Sequence, residues 1–190
     1  NISEIQFSRS LILSSEIVYP LINDFKDSIA GPGSNMQHVR TDLIQYLKED
    51  DLFLNRMQLD YIWSPVKQVY AKVTAGILES MYAGLGGEIL YKPFNRNFSI
   101  GADLFYVKQR SFEKRFNFQD YSTVTGHINF GYLLPLNIES NLSFGRYLAK
   151  DDGYTLDLSR RTKSGFKAGF YFTRTNVSKE TFGEGSFDKG

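Results

Sequence analysis

The residues best suited to chemistry are His127, Ser143, Asn129, Asn141 and Asp157, which period-two alternation places on one face of neighbouring strands. A serine nucleophile needs a base within hydrogen-bond reach and a third group to orient that base. His127 and Ser143 with a polar third residue therefore have the types that a hydrolase or acyltransferase uses. A hydrated interior also holds His, Ser and Asn, and spacing alone establishes no contact, so the pattern favours the hydrated interior. The chain has no cysteine and two histidines, His38 and His127. Lack of cysteine excludes thiolate metal sites, thiol catalysis and disulfides. The carboxylates form no calcium-loop pattern. Glycines such as Gly84, Gly86 and Gly87 fit no phosphate-binding motif and read as bends or close approaches in a curved sheet. The expectation is that the chain uses no metal and no cofactor.

A second group is the stretch KQRSFEKRFNFQDY from Lys108 to Tyr121, where Lys108, Arg110, Lys114 and Arg115 alternate with Phe112, Phe116, Phe118 and Tyr121. Interleaved cations and aromatic rings suit sugar rings or acidic polymers. They equally suit a loop that packs on itself over the end of a barrel. Nucleic acid is remote, because the net charge is +1.

These groups need elements to position them, and the hairpin from Asn97 to Leu133 supplies the pattern. Phe98, Ile100, Ala102, Leu104 and Tyr106 share one face, with Ser99, Gly101, Asp103 and Phe105 on the other. Val124, Gly126, Ile128, Phe130 and Tyr132 then oppose Thr123, Thr125, His127, Asn129 and Gly131. Similar runs recur at 5–19, 52–63, 69–77, 85–92, 138–145, 154–159 and 166–173, about nine strands in all. Short turns are expected near 64–67, 93–97, 134–137 and 162–165. The opposite ends carry 20–51, 79–84, 109–121, 149–153 and a loop at 177–190. Within 20–51 the stretch HVRTDLIQYLKEDD fits either a short helix or a strand.

Short turns on one side and long loops on the other mark an antiparallel up-and-down transmembrane β-barrel. A soluble sandwich or lipocalin-like barrel also alternates. Its dry core, however, would have to take Arg56, Asp60, Lys72, Glu88, Lys92, Asp103, His127, Glu139, Asp157 and Lys167, at great cost. Aromatic residues make up 15% of the chain and recur near strand ends, as in interfacial girdles. No apolar run approaches the roughly 18 residues of a membrane-spanning helix, and a barrel needs none. The expectation is therefore that 1–190 forms part of one barrel domain, with 20–51 an extracellular loop. An odd number of strands leaves an edge that is costly in lipid. Abrupt ends and the missing signal peptide read as a piece of a longer chain, or strands come from another chain.

Gly87-Glu88, Tyr91, Pro93-Phe94, the run Gly101-Ala102-Asp103-Leu104 and Val107-Lys108-Gln109-Arg110 form an ordered signature. It continues through Asp120-Tyr121, Thr125-Gly126-His127, Gly145-Arg146-Tyr147-Leu148-Ala149 and the closing FGEGSFDKG. In this combination the chain resembles the YjbH/GfcD family of exopolysaccharide (capsule) biosynthesis proteins, from about Asp42 onward. The resemblance implies a Gram-negative outer-membrane β-barrel that assists polymer secretion and is not an enzyme. It implies exopolysaccharide, outer-membrane lipid and lipopolysaccharide, companion lipoproteins and a polysaccharide-export channel as partners. It carries over no catalytic residues.

The site expectation is polymer contact inside the barrel through Arg56, Lys72, Asp103, Phe105, His127 and Tyr171, and at its mouth through Arg110, Arg115 and Tyr121. Two other functions stay open. One is an outer-membrane enzyme that modifies lipid or polysaccharide through His127. The other is a plugged scaffold barrel that docks the export machinery.

Overall fold

The computed structural model describes residues 2–21, 42–48, 52–178 and 187–189. Eleven strands follow one another in a single antiparallel sheet whose spatial order equals the chain order. They are β1 (Ile2–Gln6), β2 (Leu11–Val18), β3 (Phe53–Val66), β4 (Val69–Ile77), β5 (Tyr82–Tyr91) and β6 (Phe98–Arg110). The sheet continues with β7 (Phe118–Leu134), β8 (Ile138–Arg146), β9 (Asp152–Arg161), β10 (Lys167–Thr175) and β11 (Phe187–Lys189). The one α-helix among the described residues is α1 (Leu43–Leu47). Every ladder joins sequence neighbours, as hairpin connections require. β1 and β11 are the two edges, so the sheet is open among the described residues.

The alternation of the central hairpin sets its register. Asp103 pairs with His127, Phe105 with Thr125 and Leu104 with Gly126, so each side chain meets a partner of its own face. Two expectations about the ends need correction. The run 5–19 is a hairpin, not one strand. Phe7–Ser10 reverse the chain, with the Ser8 hydroxyl accepting from the amides of Ser10 and Leu11 at 3.2 and 3.1 Å. Such a serine turn needs neither Gly nor Pro and leaves the alternation almost unbroken. At the other end 177–190 is not all loop, because Phe187–Lys189 pairs with β10. Among the described residues, strands therefore number eleven, not nine.

Three short turns lie where alternation placed them, at 92–97, 135–137 and 162–166; the first falls at 67–68 and not 64–67, because Ser64–Val66 stay in β3 past a bulge between Trp63 and Val66. The opposite connections at 78–81 and 111–117 are shorter than the expected 79–84 and 109–121, and 147–151 keeps the length expected of 149–153, so the contrast in loop length is smaller. Strand pairing simply runs further than alternation could be followed. The stretch 20–51 carries α1, the helical option for HVRTDLIQYLKEDD; residues 22–41 and 49–51 lie outside the described ones.

The apolar face of the sheet is open to its surroundings. Leu85, Leu104 and Ile128 are 59%, 62% and 54% exposed. Close packing occurs elsewhere, against the polar face at the 78–81 end. There Tyr46, Met81, Tyr82 and Val107 are buried, with Leu78, Phe105, Phe112, Tyr121 and Leu148 around them. The Arg110 guanidinium, on β6, also reaches the Leu54 carbonyl on β3 at 2.9 Å. Three strand spacings of about 4.8 Å make ~14 Å along a flat sheet, beyond an arginine's span. The sheet therefore curls, and the polar face is its concave side.

Candidate functional site

On the concave face, polar side chains pair across strands instead of standing alone. Lys72 Nζ meets Glu88 Oε1 at 2.8 Å. Glu88 stands directly opposite Asp103 in the β5–β6 ladder. One Asp103 oxygen lies 3.1 Å from His127 Nδ1, and the other accepts from Asn129 Nδ2 at 2.9 Å. The His127 ring meets the Tyr147 ring edge-on at 4.8 Å. From Tyr147 a hydroxyl chain continues to Thr155 at 2.6 Å and on to Thr173 at 2.8 Å. Asp60 accepts from Thr74 at 2.6 Å and from Gln58 at 2.8 Å, and Lys167 pairs with Glu139 at 3.2 Å. Apart from Tyr147, which lies in the connection after β8, these are residues that alternation assigned to the inner face. Polar groups in a curved wall are costly if unpaired, and lateral pairing offsets that cost.

Beside this row lies a cleft of about 380 Å³, bounded by Gln58, Lys72, Thr74, Glu88, Phe105 and Thr125, with Leu78, Tyr82, Val107 and Leu148 towards the apolar end. Phe105 is the one aromatic ring that β6 presents to the concave side. Gly86, directly across the ladder, makes room for it: a Cβ there would lie 2.2 Å from the ring. Gly86 thus lets an aromatic surface lie flat against a strand.

The apolar end is held by Arg110, fully buried and surrounded by carbonyl oxygens. Its Nη1 donates to Glu79 and Ser80 at 3.2 and 3.1 Å, and its Nη2 donates to Leu54, Lys114 and Arg115. One guanidinium thereby ties the connections 78–81 and 111–117 to the start of β3. The Tyr46 phenol, brought in by α1, donates to the Arg110 carbonyl. Its ring meets Phe112 edge-on at 5.1 Å. Lys114 lies 3.2 Å over the Phe53 ring. Burial raises the Tyr46 and Tyr147 phenols above their ordinary range, and desolvation is the leading cause for both.

The structure thus gathers Lys72, Asp103, Phe105 and His127 on one stretch of the concave face. Arg56 sits further along, half-buried and in register with Glu16, and Tyr171 is 40% exposed opposite Asp157. At the mouth the expected residues separate. Arg115 is exposed, Tyr121 is half-buried with its hydroxyl on the Leu148 carbonyl, and Arg110 faces into the protein. Ser143 is not brought to His127: it pairs with Asn129, and Gly145 stands opposite the histidine. Among the described residues no group of His, Asp and Glu is arranged to hold a metal ion. Sequence reasoning missed Tyr46 and the role of Arg110.

A model of the family described as exopolysaccharide biosynthesis protein YbjH matches residues 2–190 of this chain. The chain belongs to that family. It is also 41% identical, over 163 residues, to the protein named uncharacterized lipoprotein YjbH of Escherichia coli K12. That match takes in 83% of this chain and 23% of the relative, so the chain spans about a quarter of the relative's length. No solved structure matches the chain. The ordered signature that suggested the YjbH family includes Asp103, Phe105's neighbours and His127, so it falls on the strands that build the concave row.

Proposed function

We propose that this chain forms part of the wall of an outer-membrane β-barrel that assists secretion of exopolysaccharide without catalysing a reaction. The observation that carries this reading is the contrast between the two faces of one curved sheet. The convex face exposes Leu85, Leu104, Ile128 and Phe170, while the concave face holds Lys72–Glu88, Asp103–His127 and Glu139–Lys167 in pairs. Such a sheet suits lipid outside and water inside. Outward residues Phe98 to Tyr106 on β6 span about nine residues, the length a tilted strand needs to cross the hydrocarbon layer. Tyr61, Trp63, Tyr91, Phe98 and Tyr132 collect towards the turn end, where an interfacial girdle belongs. In the whole protein, further strands close the open edges. Family membership supports exopolysaccharide as the cargo, and the E. coli relative's name, a lipoprotein, supports an envelope location. Companion lipoproteins and an export channel are the partners this reading expects.

The test is to replace both Asp103 and His127 with Ala in the full-length protein and measure secreted polymer, with lipid and polymer hydrolysis assayed alongside. Reduced secretion with no hydrolysis by the wild type supports the reading. Hydrolysis abolished by the same double variant supports an enzyme instead. A second reading, a plugged scaffold that docks export machinery, is favoured by the apolar cap that Tyr46 and Arg110 build over one end of the concave face. Single-channel conductance separates the two: a conducting full-length protein opposes the plug.

A further inference from the structure

Resting on the wall reading, we infer that the cleft beside Phe105 is a binding subsite for an uncharged pyranose unit of the polymer and discriminates against uronate units. The Phe105 ring lies against Gly86 on one side and borders the cleft on the other. A half-buried aromatic ring bordering a concave site is a natural partner for the axial C–H face of a sugar ring, with surrounding polar groups fixing its hydroxyls. Those polar groups are present in suitable variety. Gln58, Thr74 and Thr125 offer amide and hydroxyl groups, and Lys72 and Glu88 offer a donor and an acceptor at the same edge. The volume of about 380 Å³ falls at the lower end of the range for small-ligand sites.

Charge sets the preference among sugars. Among the described residues Lys72 is the one cation in the lining, and Glu88 engages it at 2.8 Å. Asp103 stands directly behind Glu88, and Asp60 lies beside Thr74. A uronate carboxylate entering here meets like charge with no unengaged cation in the lining, a repulsive element that creates selectivity. Cation–aromatic loop residues would have suggested an acidic polymer, but Arg110, the most central of those cations, is spent on carbonyls.

The experiment uses the full-length protein in detergent and calorimetric titration with two probes of equal length, maltohexaose and hexagalacturonate. Binding of maltohexaose, at least about tenfold tighter than hexagalacturonate, is expected. Phe105→Ala should weaken maltohexaose by about tenfold, the loss of one stacked ring, while Phe105→Tyr keeps it. Glu88→Gln frees Lys72 and should tighten hexagalacturonate severalfold. Circular dichroism and thermal unfolding confirm that each variant is folded. No binding of either probe, tighter binding of the uronate, or maltohexaose affinity unchanged in a folded Phe105→Ala overturns the subsite. Such a result, with polymer secretion still dependent on Asp103 and His127, removes the subsite and leaves the wall reading standing. Loss of that dependence with maltohexaose binding intact does the opposite.

Discussion

The two ends of the concave face solve the same problem in opposite ways. Towards the middle and the turn end, charged groups keep contact with water and pair sideways along the ladders, as Lys72–Glu88 and Asp103–His127 do. At the capped end the connections fold inward, water is excluded, and Arg110 meets backbone carbonyls in place of a carboxylate. One arrangement tolerates change and the other does not. A water-facing pair loses little when one member goes, because solvent replaces it. A buried guanidinium satisfies several carbonyls at once, and its removal strands them together. The comparison teaches that the wall's polarity is spread over many residues, while the cap hangs on very few.

The largest effect that sharpens this contrast is expected from Arg110→Ala, which should destabilise the capped end by about 3 kcal/mol or more in urea unfolding from detergent. Proteolysis should move to 78–81 and 111–117, with the turn end still protected. Arg110→Lys should rescue poorly, since an ammonium cannot present the planar five-donor fork. Next comes the convex face. Leu104→Arg should cost about 2–4 kcal/mol if Leu104 lies near the bilayer midplane, whereas Asn141→Arg at an exposed position of the concave face should cost far less. Equal costs for the two would break the assignment of faces.

Smaller is Tyr46→Phe, which removes the phenol's bond to the Arg110 carbonyl and should cost about 1 kcal/mol. The same phenol gives a pH dependence. Its pKa is raised by burial, so the unfolded phenol ionises first as pH climbs. Stability from the neutral folded form is fully present below about pH 10 and is lost as pH rises through the higher folded value. Alkaline titration should loosen the cap in the wild type, read by protease sensitivity, and Tyr46→Phe should blunt that response. The smallest effect is expected from Asp103→Asn: under about 1 kcal/mol, since the pair is partly hydrated.

Much of this was readable from the chain. Alternation fixed the faces, and the residues placed inward, such as Lys72, Glu88, Asp103 and His127, do meet one another. Turns at Pro93, Pro135 and Gly165 lie where they were expected, whereas Pro65 stays inside β3 and the chain turns just after it. The reversal at Phe7–Ser10 was missed, because the Ser8 hydroxyl makes it without Pro or Gly. The cap was illegible for a different reason. Arg110 is bonded to carbonyls of Leu54, Glu79 and Ser80, and a carbonyl carries no side-chain signature at any spacing. Its basic, aromatic surroundings suggested an exposed loop, and the same composition serves a packed one. Phe105 left a readable trace: an aromatic residue at an inward position, with Gly86 in the register opposite, is what a flat-lying ring requires.

The central claim is that the convex face meets lipid and the concave face meets water. The 190 residues hold no cysteine, so single cysteines are placed by substitution, with any reactive cysteine elsewhere in the full-length protein replaced. Leu104→Cys and Ile128→Cys report the convex face, and Asn141→Cys and Ser143→Cys the concave one. One sample of each carries an environment-sensitive fluorophore in brominated lipid, and a second, unlabelled, is challenged in its native membrane with a water-soluble maleimide. The account predicts lipid quenching at 104 and 128, with maleimide labelling at 141 and 143. Labelling at 104 and 128 as rapid as at 141 and 143, without lipid quenching, would contradict it.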